Sequence, residues 1–172
     1  MNLNKRIRKI LKETIKYKNP KFLYHGTFSK NIDNIKKNGL KVDCSIQHKF
    51  ECGIYLASDF FVAANYMMMG EIGEDFFVIE IPFESLSTNH MKPDDYELFD
   101  LLYDDYLEYK DILDDIGIEQ EEIYNNTKFI YNSLDYRDSL YICQQLLYTK
   151  NIKPNLFSRI YNKSDIKKKL NS

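Results

Sequence analysis

The sequence predicts an α+β fold, and three observations carry that prediction. Short apolar runs of strand length alternate with stretches of helical spacing, Tyr and Phe are abundant enough to build a core, and no internal repeat or linker divides the chain. At 172 residues the chain falls in the size range of one domain, about 100–200 residues. It can therefore bury a core without cross-links or a structural metal, and a single domain spanning 1–172 is expected.

The elements follow in order. Leu3, Ile7, Ile10, Leu11 and Ile15 fall at helical spacing among Lys and Arg, which predicts a basic amphipathic helix over 1–20 that Asn19-Pro20 ends. Such a stripe suits a membrane surface or nucleic acid, but more commonly packs on its own domain. Phe22-Leu23-Tyr24 is a short strand ending in His25-Gly26-Thr27. Ser29 is placed to cap a helix with Ile32 and Ile35 on one face, which Asn38-Gly39 stops. Residues 40–50 read as a loop, Gly53 to Leu56 as a strand, and Phe60 to Met69 as a helix capped by Ser58 or Asp59. Phe76 to Ile81 is a strand closed by Pro82. Leu98, Leu101, Leu102, Tyr106, Ile112, Leu113 and Ile116 predict an acidic helical insertion over 94–138. Leu140 to Tyr148 is strand-like, Phe157 to Tyr161 is a final strand, and Lys163 to Ser172 reads as a polar tail.

Composition narrows the function classes. The net charge is −2, but both ends are basic and the stretch from Asp94 to Glu122 is dense in acid. Such blocks mark interaction surfaces, or simply neutralise one another. No apolar run approaches the ~18 residues that would span a bilayer, and no signal peptide pattern is present. A cytoplasmic protein with no membrane role is expected. Cys44, Cys52 and Cys143 are an odd count without repeated spacing, which predicts unpaired thiols in a reducing compartment. His25, His48 and His90 lack ligand spacing with cysteines or carboxylates, so no metal site is expected. No Gly-rich phosphate loop is present.

The chemistry concentrates in two strand ends. In His25-Gly26-Thr27 the glycine lets a ligand approach the main chain, and the histidine offers a ring nitrogen to a hydroxyl. Tyr55 offers a flat face for a heteroaromatic ring. Taken singly, a strand histidine or tyrosine is more often structural.

Their order says more. Leu23-Tyr24-His25-Gly26-Thr27 precedes a helix ending in Asn38-Gly39-Leu40, and Gly53-Ile54-Tyr55-Leu56-Ala57-Ser58 follows. A helix with Ala63-Ala64-Asn65-Tyr66 and the strand Phe77-Val78-Ile79-Glu80-Ile81-Pro82 come next. This succession resembles the diphtheria-toxin-like ADP-ribosyltransferases, whose phage-encoded members and RNA 2′-phosphotransferase relatives share the layout. The likeness runs from Phe22 to Leu86 and resumes loosely from Ser139 to Ile160, where Tyr148 and Ile152-Lys153-Pro154 resemble late family strands. It does not cover Asp94 to Asp138.

The resemblance implies a split β-sandwich of two small sheets flanked by helices, binding NAD as a substrate. It implies that His25 hydrogen-bonds the adenosine ribose, that Gly26 holds the nicotinamide carboxamide through its backbone, and that Tyr55 stacks on nicotinamide. Thr27 and Tyr66, on the same motifs, complete the implied cofactor-binding set. At the third signature position the family usually carries a Glu beneath the developing cation; here the place falls on Gln145, beside Gln144. A neutral amide accepts a hydrogen bond but supplies no full charge. Glu80, Asp94 and Asp95 are the next acids to consider, each read from sequence as solvated. The implied reaction is mono-ADP-ribosyl transfer to a macromolecular acceptor, a protein rather than a nucleic acid; the acidic charge of 94–138, apart from the resemblance, suggests that a basic acceptor surface docks there. The alternatives are a degenerate, non-enzymatic binding module and RNA 2′-phosphotransfer, for which arginines are sparse.

Overall fold

A computed structural model describes residues 18–44, 50–68, 75–107 and 120–170, and for residues 66, 105–107, 120, 123 and 170 the backbone alone. Six strands form one sheet: β1 (Phe22–Phe28), β2 (Ile54–Ala57), β3 (Phe76–Pro82), β4 (Met91–Pro93), β5 (Gln145–Tyr148) and β6 (Arg159–Tyr161). Their order is β4-β5-β2-β1-β3-β6, and every pairing is antiparallel. The helices are α1 (Ser29–Asn38), α2 (Phe60–Met68), α3 (Glu97–Leu107), α4 (Gln120–Tyr131), α5 (Tyr136–Ile142) and α6 (Lys163–Leu170). The α+β class holds.

The pairing is uneven, and the unevenness shapes the molecule. β1 pairs with β3 along its whole length, from Phe22 opposite Pro82 to Phe28 opposite Phe76. β2 pairs with β5 from Ile54 to Ala57. Between β1 and β2 the register is a single pair, Tyr24 opposite Ala57. The two small sheets expected from sequence are thus the halves β4-β5-β2 and β1-β3-β6 of one sheet, joined at a seam.

Strand alternation distributes the core. Leu23, Ile79 and Ile81 reach one face, where Leu56, Leu146 and α1 residues Ile32 and Ile35 join them. Val78 and Ala57 reach the other, covered by Phe60, Ala63 and Ala64 of α2 and Ile166 of α6. α1 ends at Gly39, whose φ of 77° favours glycine and whose N–H donates to the Ile35 carbonyl at 2.8 Å. The side chain of Asp59 caps α2, accepting from the N–H groups of Phe61 at 2.7 Å and Val62 at 3.1 Å. Ser29 makes no cap; α1 starts at that residue.

Several expectations are corrected. β1 runs on through His25-Gly26-Thr27 because β3 pairs with it there, so His25 lies within a strand and not at its end. Residues 140–142 are helical, since Asp135 and Asp138 form a capping box that starts α5 just before them. The Lys-rich tail is helix α6, anchored by Ile166 and by Lys169, whose Nζ lies 4.0 Å from the Phe60 ring centroid and 4.9 Å from that of Tyr161. Cys44 and Cys52 are joined in a disulfide, not left as separate thiols. The loop folds back through hydrogen bonds between Asp43 and Gly53, bringing the two Cα atoms within 4.5 Å. Cys143 is free, and burial pushes its thiol up to about 11.

In the acidic insertion, Leu98, Phe99 and Tyr131 form a small core with Phe50, Leu102 and Leu134. The Tyr131 hydroxyl donates to the Pro93 carbonyl at 3.1 Å, tying α4 to β4. Residues 108–119 of the insertion, and the basic N-terminal helix except residues 18–20, lie outside the described residues. Among the described residues no helix is long and apolar enough to cross a membrane, and no group of His, Cys, Asp or Glu is placed to hold a metal ion.

Candidate active site

Where the seam parts, a cleft of about 550 Å³ opens, within the ~300–1,000 Å³ usual for ligand sites. β1 contributes His25, Gly26 and Thr27 to its wall, β2 contributes Tyr55, β5 contributes Gln145, and Asp94 follows β4. Of the residues assigned from sequence only Tyr66 is left unplaced, because its side chain is outside the described set. Residues 31, 34 and 41, which the sequence did not single out, extend the cleft past α1; among its described lining residues Lys41 is the sole cation.

His25 spans the seam. Its Nδ1 lies 3.0 Å from the Tyr55 carbonyl oxygen, and because a carbonyl only accepts, the proton sits on Nδ1. The ring is packed round by protein although one edge opens on the cleft, and this burial lowers its pKa, outweighing the carbonyl's opposite pull. The imidazole is therefore neutral at pH 7, with Nε2 as an acceptor.

Tyr55 is fixed at both ends. Its backbone carbonyl holds His25, and its hydroxyl donates to Asp95 Oδ1 at 2.7 Å. Asp95 Oδ2 accepts from the N–H groups of Phe50 at 2.9 Å and Glu51 at 3.3 Å. Asp95 is fully buried, as is Asp94 at 1% exposure, so the solvated reading of both is overturned. Glu80 is also buried, but on the α2 face, where it accepts from Ser158 Oγ at 2.7 Å and Tyr161 Oη at 2.9 Å. It is not among the cleft's lining residues. Burial, with the Glu80 carboxylate beside it, raises Tyr24 to about 12.

Gly26 is a packing requirement. A Cβ there would fall 2.4 Å from the Ala63 carbonyl oxygen and 2.8 Å from Met67 Cγ, so its absence is what lets α2 lie against β1. Gln145, 8% exposed, opens β5 opposite Ala57. Several polar groups on this wall make no hydrogen bond among the described residues: the Gln145 side-chain amide, the Thr27 hydroxyl and His25 Nε2. Buried polar groups are nearly always paired, so unpaired ones converging on a cleft await a polar ligand.

Asp94 carries a pH signature. Burial raises its pKa to about 6 against the N–H groups of Glu97 and Tyr96, which pull it down. In the unfolded chain it titrates near ~3.9. Between those values the folded state holds a proton that the unfolded state has lost, so stability falls as pH rises through about 6. Asp94→Asn removes this loss. The variant's stability relative to wild type is expected to grow by about 2–3 kcal/mol between pH 4 and pH 8, measured by urea unfolding at both. A difference independent of pH would overturn it.

Residues 4–81, fewer than half of the chain, match the family model of the poly(ADP-ribose) polymerase catalytic domain, an ADP-ribosyltransferase family. No curated protein matches the chain. The matched segment carries His25, Gly26, Thr27 and Tyr55; Asp94, Asp95 and Gln145 lie outside it.

Proposed function

We propose that the chain is an NAD-dependent mono-ADP-ribosyltransferase of the diphtheria-toxin-like kind. The observation that carries this reading is the cleft at the seam, where a neutral His25, a clamped Tyr55 ring and unpaired buried polar groups converge. His25 Nε2 accepts from the adenosine ribose, and the Tyr55 ring stacks on nicotinamide. The Gln145 amide and the Thr27 hydroxyl take further polar groups of the dinucleotide, and Lys41 is available to its pyrophosphate. Bound NAD supplies the leaving group; the protein supplies position and field. The acceptor is a macromolecule, and the acidic helices α3 and α4 favour a basic protein surface. Phosphotransfer from RNA is less well served, since no arginine lines the cleft among the described residues.

Calorimetric titration with NAD tests the reading. Tyr55→Ala should weaken binding by about 1–3 kcal/mol, the worth of a base–aromatic stack. Saturable binding by the wild type, lost in part in the variant, supports the site; no binding of NAD by the wild type refutes it. Labelled NAD in a lysate of the natural host then separates transfer from a binding module that holds NAD without using it.

A further inference from the structure

We propose that Asp94 supplies the negative charge beneath the nicotinamide ribose that the neutral Gln145 cannot, an inference that rests on the NAD reading above. β4 and β5 pair Met91 with Tyr148, Lys92 with Leu147 and Pro93 with Leu146. One further step along the same antiparallel ladder sets Asp94 beside Gln145. A buried serine fixes the two together: the Asp94 N–H donates to Ser139 Oγ at 2.9 Å, and Ser139 Oγ donates to the Gln145 carbonyl at 2.6 Å. A carboxylate thus stands one strand over from the amide, on the wall of the same cleft.

The two oxygens of Asp94 differ. Oδ1 accepts from the N–H groups of Tyr96 at 2.9 Å and Glu97 at 2.7 Å and caps α3. Oδ2 has no hydrogen-bond partner among the described residues, although Asp94 is only 1% exposed. A buried carboxylate oxygen without a donor is costly, and a cleft-facing one is satisfied by a ligand hydroxyl. Asp95 is committed elsewhere, to Tyr55 and to two backbone N–H groups. With a pKa of about 6, Asp94 is ionised at neutral pH. The titratable groups around it are Asp95, Glu97, Tyr131 and Cys143.

In the reaction, the bond between ribose C1′ and the nicotinamide nitrogen breaks, and its electron pair neutralises the pyridinium. Positive charge moves to C1′ and the ring oxygen. Asp94 Oδ2 accepts a hydrogen bond from a hydroxyl of that ribose and opposes the charge. The acceptor, or water in its absence, forms the new bond to C1′ and releases its proton to solvent.

Nicotinamide release from NAD into water, NAD affinity by calorimetry and thermal unfolding are to be measured for wild type and Asp94→Asn. Asparagine keeps an oxygen for the α3 cap, so the variant should unfold cooperatively. Release is expected to fall about 100-fold or more, the scale of losing one preorganised electrostatic partner, with NAD affinity changed little. The wild-type rate should rise with pH through about 6 to a plateau, and the variant should lose that limb. The assignment is overturned if Asp94→Asn keeps full release and the acid limb, or loses binding and release to the same degree. Wild-type protein that binds NAD without ever releasing nicotinamide also overturns it. Wild-type protein that fails to bind NAD refutes the underlying reading, and this assignment with it.

Discussion

Asp95→Ala should unfold at a temperature about 10 °C below wild type, taking ~2–4 °C per kcal/mol for a chain of this size. The side chain is fully buried and, among the described residues, accepts three hydrogen bonds, from the Tyr55 hydroxyl and the N–H groups of Phe50 and Glu51. Hydrogen bonds to a charged group contribute about 1.5–3 kcal/mol each, and a donor left unpaired in the interior adds its own desolvation cost. The terms are not additive, which puts the loss at about 3–5 kcal/mol. Tyr55→Phe removes one of the three and should cost less, about 1.5–2 kcal/mol. It should nevertheless loosen the ring, since the hydroxyl is what holds the stacking face in place. In a double-mutant cycle, Asp95→Asn and Tyr55→Phe should couple by about 1–2 kcal/mol, and NAD affinity should fall in both single variants. An Asp95→Ala protein with an unchanged midpoint would show that the three bonds contribute nothing net.

Gly26→Val is expected to be comparably damaging for a different reason. The added Cβ would meet the Ala63 carbonyl at 2.4 Å, and that oxygen belongs to the backbone of α2, which cannot turn aside. The helix must lift from β1 as a unit. Overpacking costs about 1–3 kcal/mol in ordinary cores and more when backbone obstructs, and valine adds further bulk. Because Ala63 and Met67 of α2 also line the cleft, the displacement should abolish NAD binding as it lowers the midpoint by about 5–10 °C. Gly26→Ala separates packing from ligand approach. If alanine leaves the unfolding temperature intact and removes only NAD binding, the glycine serves the ligand and not the helix.

These two residues also show how much was legible in the sequence. The sequence marks Gly26 as a point of ligand contact; the helix that needs it crosses the strand from residues 63–67, a contact that no local pattern encodes. β1, β3 and α1 were readable because apolar spacing, Pro82 and Asn38-Gly39 mark them within a few residues of chain. In the sequence Asp94 and Asp95 read as solvated acids, since they open a stretch dense in charge. Their burial depends on β4 pairing with β5, more than fifty residues later in the chain. α6 is hard to read from sequence because one apolar residue, Ile166, anchors a lysine-rich segment, and two of the rings that receive Lys169, those of Tyr24 and Phe60, come from distant elements. The disulfide is not legible in the sequence because an odd cysteine count carries no pairing information, whereas the fold-back at Asp43 and Gly53 does.

The single register pair between β1 and β2 has a consequence for motion. Seven consecutive pairs hold β1 to β3 and four hold β2 to β5, but one joins the halves. What spans the seam besides that pair is the hydrogen bond from His25 Nδ1 to the Tyr55 carbonyl and a broader apolar contact, with Leu23 and Ile81 of one half in the same cluster as Leu56 and Leu146 of the other. Packing of that kind is non-directional and tolerates sliding far better than a ladder does. The least costly sub-global opening therefore parts the sheet between β1 and β2 and leaves each half paired within itself. Amide exchange should report two cooperative units whose border runs between neighbouring strands of one sheet. A ligand lying in the cleft touches both, so its binding energy adds to the cost of that opening, and protection should rise together in strands that share no hydrogen bond.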